Sequence, residues 1–486
     1  MSAPRDGRTD SGGPTDRCFG QRYHSFIERN CSRSKSARGR QRRSRGLLAI
    51  ALQHVSGVPI DRRRRTLELE RYLDGTERQM VNKPIVQIAE YRGDLDAGAL
   101  ARAFDLLSFD FPVIRARVTP DDDRLLLQVP PGAGVTTGFL AGGLDELRAE
   151  LRQSWKPGDG VARLLVVTGD RHGYVALRMD HSVITGPSWT AIFARLWTLY
   201  THLVTGRDVT VSAIRSGTLP MPPSAVFRSV LGDRYTRTEQ YTEAAVSARQ
   251  FVVRLEEQST RDFLAAAREL GTTVHALTCG VVLRALRDRA DTDQPARMTC
   301  FTVANLQKRS PLGLGVTDTT TPLVWHRADV TVDHAADPAV IGRAVKWQLD
   351  RALQTRDLPD VDASALVDST IDQRLAKVMV TNIGIVERFE QPPALEIVDW
   401  FRLYEVTSPF PWYAGYTYDG RYHLICVYPA TTYTQVEVES LGAEVGSLLG
   451  RLASTSGRRP VRPAVGSAEF MGESASAPSE SPRSAP

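Results

Sequence analysis

The chain has 486 residues, 42% hydrophobic and 24% charged, with 61 Lys+Arg against 56 Asp+Glu and a formal net charge of +5. That length allows two to four domains, the composition is that of an ordinary globular protein, and no run approaches the roughly 18 apolar residues that cross a bilayer. The positive charge belongs to one end: residues 1–65 hold 15 Arg and one Lys against five acids, whereas residues 66–454 hold 41 basic and 48 acidic residues. A body of net negative charge has no general attraction for nucleic acid, which excludes that class of partner for it.

Residues 1–65 read as a disordered basic tail. The arginines of 38–45 and 62–65 have a sharp reading, a nucleic-acid arm, and bland ones, a solvated tail or sequence translated upstream of the true start. The lack of interleaved aromatics favours the bland readings. The apolar run 47–52 is shorter than a signal-peptide core. Five cysteines without a CxxC argue against a disulfide framework or a zinc site and fit a reducing cytoplasm.

From there strands and helices alternate. Residues 83–91 read as a strand. Residues 95–107 read as an amphipathic helix with Leu100, Phe104 and Leu107 on one face, ended by Pro112. Ile114, Ala116 and Val118 alternate with Arg115 and Arg117 as a half-buried strand does. Asp121–Asp123 read as a hairpin tip rather than a metal site, leading into a strand at 125–129. A helix is expected at 144–155, then a hairpin of strands 161–168 and 174–180. A loop, 181–187, opens a long helix from Ser188, its expected N-cap, to about Val204. Residues 206–241 look irregular and connect two halves. The second half brings a strand at 250–256, helices at 259–270 (closed by Gly271) and 274–289, and a strand at 298–304. A helix at 337–354, strands at 378–381, 395–403, 412–418 and 422–428, and a closing helix at 436–452 follow. Residues 455–486 read as a second disordered tail. The domains expected are 1–65, 66–225, 226–454 and 455–486, with the middle two mixed α/β.

His181 directly follows a strand end and enters a loop before a helix, where a fold presents a side chain to a cleft. A neutral imidazole there can take a proton from an attacking hydroxyl or amine and return it to a leaving group. Position alone weighs that role evenly against a structural histidine. His172, His275 and His423 read as surface or packing residues. Ser182 has no GxSxG elbow around it, and no phosphate-binding loop is evident.

The segment 177–187, LRMDHSVITGP, resembles the HHxxxDG signature of the condensation-domain and polyketide-associated acyltransferase superfamily. Residues 92–96 (RGDLD) with the following helix, and 111–115 (FPVIR), are similar to that superfamily's opening elements. Residues 270–277 (LGTTVHAL) resemble the start of its second half, and 380–384 (VTNIG) its strand beside the active site. The resemblance spans roughly 66–454. It implies two chloramphenicol-acetyltransferase-like subdomains in a V-shaped pseudo-dimer with a channel between them. It also implies His181 as general base, an acyl-CoA or carrier-protein thioester as donor with no bound cofactor, and a small-molecule acceptor. An acyl or peptidyl carrier protein would be the partner of a cytoplasmic monomer working in secondary metabolism. Thr381 and Asn382 are candidates to line the oxyanion region, and Gly186 is the signature glycine.

The departures from the signature concern its scaffold. Asp180 stands for the first histidine, Thr185 for the aspartate, and Gln307 for the arginine that pairs with that aspartate. Both members of the pair become neutral, so a direct Thr185–Gln307 hydrogen bond is an expectation, with Lys308 or Arg309 as other sources of a cation. Asp180 has two readings: it faces away, or it sits close enough to raise the basicity of His181. The altered trio keeps a second function open, in which the same fold performs a cyclisation, dehydration or pericyclic step. A third is a non-catalytic binding protein.

Overall fold

The computed structural model describes residues 69–153, 155–209, 219–232, 246–358, 361, 366–408 and 410–456. The basic tail with its arginine clusters, and the chain beyond 456, lie outside these residues. In the first half the elements are β1 (Glu70–Tyr72), α1 (Gly75–Arg78), β2 (Pro84–Gly93), α2 (Ala97–Asp110), β3 (Arg117–Asp121), β4 (Arg124–Gln128), β5 (Thr136–Ala141), α3 (Leu144–Leu151), β6 (Ala162–Thr168), β7 (His172–Asp180), α4 (Gly186–Thr205) and α5 (Pro223–Leu231). The second half adds β8 (Val246–Leu255), α6 (Glu257–Glu269), α7 (Val274–Asp288), β9 (Ala296–Asn305), β10 (Leu323–Val332), α8 (Pro338–Thr355), α9 (Gln373–Ala376), β11 (Lys377–Val386), β12 (Leu395–Tyr404), β13 (Val406–Thr407), β14 (Trp412–Tyr418), β15 (Arg421–Pro429) and α10 (Gln435–Ser456).

The strands form a five-stranded sheet, β12-β2-β7-β6-β5, a seven-stranded sheet, β10-β9-β11-β14-β15-β8-β13, and a small sheet, β1-β4-β3. The fold is thus α/β with two sheet-and-helix subdomains. In the first, α2 and α4 cover one face of the five-stranded sheet. Leu100, Phe104 and Leu107 are fully buried on α2, as their spacing requires. In the second, α7 and α8 cross with their backbones in contact: a side chain at Gly280 would meet the Pro338 carbonyl, and one at Gly342 the Ala276 carbonyl.

One pairing crosses between the halves. The second-half strand β12 runs antiparallel to β2, from Leu395 opposite Gly93 to Tyr404 opposite Ile85, and so closes the first half's sheet. Trp400 and Tyr404 on β12 and Trp412, Ala414 and Tyr416 on β14 share one core with α2 and α4. Residues near this crossing are held by both halves at once.

Several local expectations change. Ile114 lies in a 3-10 turn, Pro112–Arg115, because Pro112 at the start of the turn fixes its φ and lacks an N–H for a ladder. Residues 223–231, expected to be irregular, form α5, which two prolines start rather than interrupt. β5 and β10 had no strand expectation. Gly138 hides the first, and His326, Arg327 and Asp329 break the apolar run of the second although its burial alternates. α3 ends at Leu151, short of 155. α6 begins at Glu257, because Thr260 turns its hydroxyl to the Leu255 carbonyl instead of capping a later start. Asp122 (φ +51°) sits at the tip of the β3–β4 hairpin. α10 runs to Ser456, two residues into the expected tail.

Candidate functional site

β7 is buried for eight successive residues and stops at Asp180. The Asp180 carboxylate ends it. One oxygen accepts from the Ser182 N–H (3.1 Å) and the Ser182 hydroxyl, the other from the Asn82 N–H (2.9 Å). These bonds cap a 3-10 turn, His181–Val183, so the chain leaves the sheet at His181. Burial pushes the Asp180 carboxyl up to about 6, against the opposing effect of its donors. Thr321 of the second half pins the same turn, its hydroxyl donating to the Ser182 carbonyl (3.0 Å).

His181 is half-buried. Its Nδ1 lies 2.8 Å from the Ile184 carbonyl. A carbonyl oxygen only accepts, so Nδ1 carries the hydrogen and Nε2 the lone pair. Burial lowers the basicity of His181, the charges of Lys83 and Arg402 lower it further, and the Ile184 bond opposes them. The lowered basicity favours the neutral imidazole, with Nε2 as its acceptor. The direction is downward, the opposite of what an Asp180–imidazolium pair would give.

The loop then enters α4, whose N-cap is Thr185 and not Ser188. Pro187, in the first turn, needs no N–H partner there, so the helix starts at Gly186, two residues before Ser188. Thr185 Oγ1 bonds the Ser188 hydroxyl, and Ser188 in turn donates to the Asp318 carbonyl (3.2 Å). Gln307 Nε2 donates to that same carbonyl (2.8 Å) and to the Gly315 carbonyl (2.7 Å). Thr185 and Gln307 thus meet not directly but through the Ser188 hydroxyl and the Asp318 carbonyl, which stand between them. Lys308 and Arg309 point to solvent and supply no buried cation.

From the other side β11 approaches. Thr381 and Asn382 pair with Ala414 and Gly415 of β14. Asn382 Oδ1 accepts from the Gly384 N–H (2.7 Å), and Gly384 takes φ +94° at a register shift in the ladder. The next side chain, Ile383, reaches within 3.8 Å of where a Cβ of Gly186 would stand. β11 thus reaches the start of α4 through Ile383, and Gln307 reaches it through the Asp318 carbonyl. Next to them, Thr317–Thr320 line a cavity of about 460 Å³ whose other walls include Asp110, Phe111, Pro112 and Leu219.

Sequence reasoning missed Arg402, which is 1% exposed and donates to the Gly186 carbonyl, and Thr321. Arg402 had a signal: it takes a place on the buried face Trp400–Arg402–Tyr404 of an alternating strand, where a charge is out of pattern. Elsewhere, His172 pairs with Glu90 (2.8 Å), while burial pushes His275 and His423 down to about 4. No group of three or more metal-binding side chains occurs among the described residues. No helix among them is long and apolar enough to cross a membrane.

Residues 244–424 match the family model for the phthiocerol/phthiodiolone dimycocerosyl transferase C-terminus. Polyketide synthase associated protein 5 from Mycobacterium tuberculosis superposes with a TM-score of 0.63 at 17% identity, covering 79% of this chain and 97% of that one. That family match covers the second half of the chain alone, and over it the chain is similar to the transferase C-terminus. The first condensation domain of the calcium-dependent antibiotic synthetase superposes at 0.56 with 14% identity over 78% and 93% of the two chains. Trichothecene 15-O-acetyltransferase from Fusarium sporotrichioides does so at 0.57 with 12% identity over 78% and 92%. At these identities the superpositions show the fold alone. No curated protein matches the chain in sequence.

Proposed function

We propose that this protein is an acyltransferase that moves an acyl group from a CoA or carrier-protein thioester to a hydroxyl or amine acceptor in natural-product biosynthesis. The observation that carries the reading is the Nδ1–H···Ile184 bond, which leaves Nε2 of a neutral His181 as the acceptor where the two halves meet. Support also comes from the family match over 244–424 and from two superposing proteins named for polyketide synthase association and acetyl transfer.

In the proposed reaction Nε2 takes the proton of the acceptor as its oxygen or nitrogen forms a bond to the thioester carbonyl carbon. The tetrahedral oxyanion then collapses, the carbon–sulfur bond breaks, and the imidazolium returns the proton to the departing thiolate. The Ile184 carbonyl keeps the ring in one tautomer throughout. Thr381 and Asn382 Nδ2 are the groups assigned to the oxyanion, a role that calls for preplaced donors. Asp180 keeps the turn, and Thr185 with Gln307 keeps the loop.

The test offers a panel of acyl-CoA and acyl-carrier thioesters with alcohol and amine acceptors and follows free thiol together with acylated product. Acceptor-dependent thiol release supports the reading. Conversion of an intermediate without thiol release would favour the second one, a non-acyl-transfer step on the same fold. The neutral Thr185–Ser188–Gln307 network is the observation that keeps that second reading in play.

A further inference from the structure

Arg402 sits on β12, the second-half strand that closes the first half's sheet. Its Nη2 donates to the Gly186 carbonyl (2.9 Å) and to Thr190 Oγ1 (2.6 Å), one turn apart at the start of α4. The rings of Trp189 and Trp400 lie 5.2 and 5.3 Å from its guanidinium carbon. No carboxylate pairs with it among the described residues, and its Nε has no hydrogen-bond partner. An unpaired buried cation is costly, and here hydrogen bonds and two aromatic faces offset only part of that cost.

The network beneath the His181 loop, by contrast, consists of hydroxyls, an amide and a backbone carbonyl. The cation that ties the two halves together at the start of α4 is thus Arg402. The charged groups around His181 are Lys83 before β2, Arg402 from β12, and Asp180, whose oxygens are taken by Ser182 and Asn82. On α1, packed against the turn, Glu77 is itself paired with Arg71.

We propose that Arg402 is a positioning residue for His181: it holds the first turn of α4, and through it the loop, while keeping a fixed positive charge near the imidazole. A fixed cation disfavours imidazolium in the resting protein, and the clamp sets where Nε2 lies relative to β11. The kinetic arm of the test rests on the acyl-transfer reading; the other arm does not.

NMR titration of the His181 ring reads the charge without turnover. Arg402→Met is expected to move the His181 titration to higher pH, and Arg402→Lys to leave it near that of the unmodified protein. Thr190→Val keeps the charge but removes one anchor, so it should leave the titration in place. With thioester substrate, Arg402→Met should lose on the order of 10²-fold in kcat with KM little changed. Arg402→Lys should recover most of that loss, and Thr190→Val should show a smaller one. If Arg402→Met does not fold, the other two variants carry the kinetic test. A His181 titration unmoved in folded Arg402→Met, or kcat unchanged in both Arg402→Met and Thr190→Val, would overturn the proposal. Absent turnover in the unmodified protein would count against the acyl-transfer reading, while the titration would still decide the role of Arg402.

Discussion

Asp180→Asn gives a quantitative handle on the turn that presents His181. Burial raises the Asp180 carboxyl to about 6 in the folded chain, against about 3.9 in an unfolded one. The folded state therefore binds the proton more tightly, and stability falls as pH rises between those two values. The full effect is about 2 pKa units at 1.36 kcal/mol each, or about 3 kcal/mol, of which about 2 kcal/mol falls between pH 4.5 and 7.5. Asparagine cannot ionise; its single amide oxygen serves the Ser182 or the Asn82 N–H but not both, a cost that does not change with pH, so the pH dependence of the difference isolates the ionisation. Urea denaturation of both proteins across that range is the assay. The stability of Asp180→Asn relative to the unmodified protein should rise by about 2 kcal/mol from pH 4.5 to 7.5. A difference that stays flat, or that moves the other way, would refute a buried carboxylate whose ionisation opposes folding.

Other perturbations probe the supports of the same region. Thr185→Val removes the N-cap of α4 and its tie to Ser188, and should cost about 1 kcal/mol in denaturant unfolding. Glu77 is fully buried against Arg71, which also donates to the Pro220 carbonyl (2.7 Å). Glu77→Ala should cost about 3 kcal/mol or more by leaving that guanidinium without its carboxylate, and a second change, Arg71→Ala, should return part of the loss. The pH dependence of kcat/KM should carry an acidic limb below the ordinary histidine range of about 6.5, activity being lost as pH falls and His181 protonates. A limb above that range would contradict a burial-depressed imidazole.

Much of the fold was legible because burial has a period. The face Leu100–Phe104–Leu107, the hairpin that ends at Asp180 and the closing helix all follow from it. What stayed hidden depends on partners far along the chain. Nothing local in residues 395–404 says that β12 closes the sheet of the other half, since a strand's sequence shows its faces and not its neighbour. The cap of α4 was misplaced by three residues because Thr185 and Ser188 are equally good cap types; Pro187 in the first turn decides between them. At the site, His181 was visible from its place at a strand end and from the resemblance. Arg402 and Thr321 were not, because both come from elements whose approach to the loop is set by tertiary packing.

In the proposed reaction Nε2 of His181 takes the proton of the acceptor. Single-turnover acyl transfer from a pre-bound thioester, compared between the unmodified protein and His181→Ala, tests it most directly. The acyl-transfer rate is expected to fall on the order of 10²- to 10⁴-fold with the variant still folded, and an undiminished rate would remove His181 as the base.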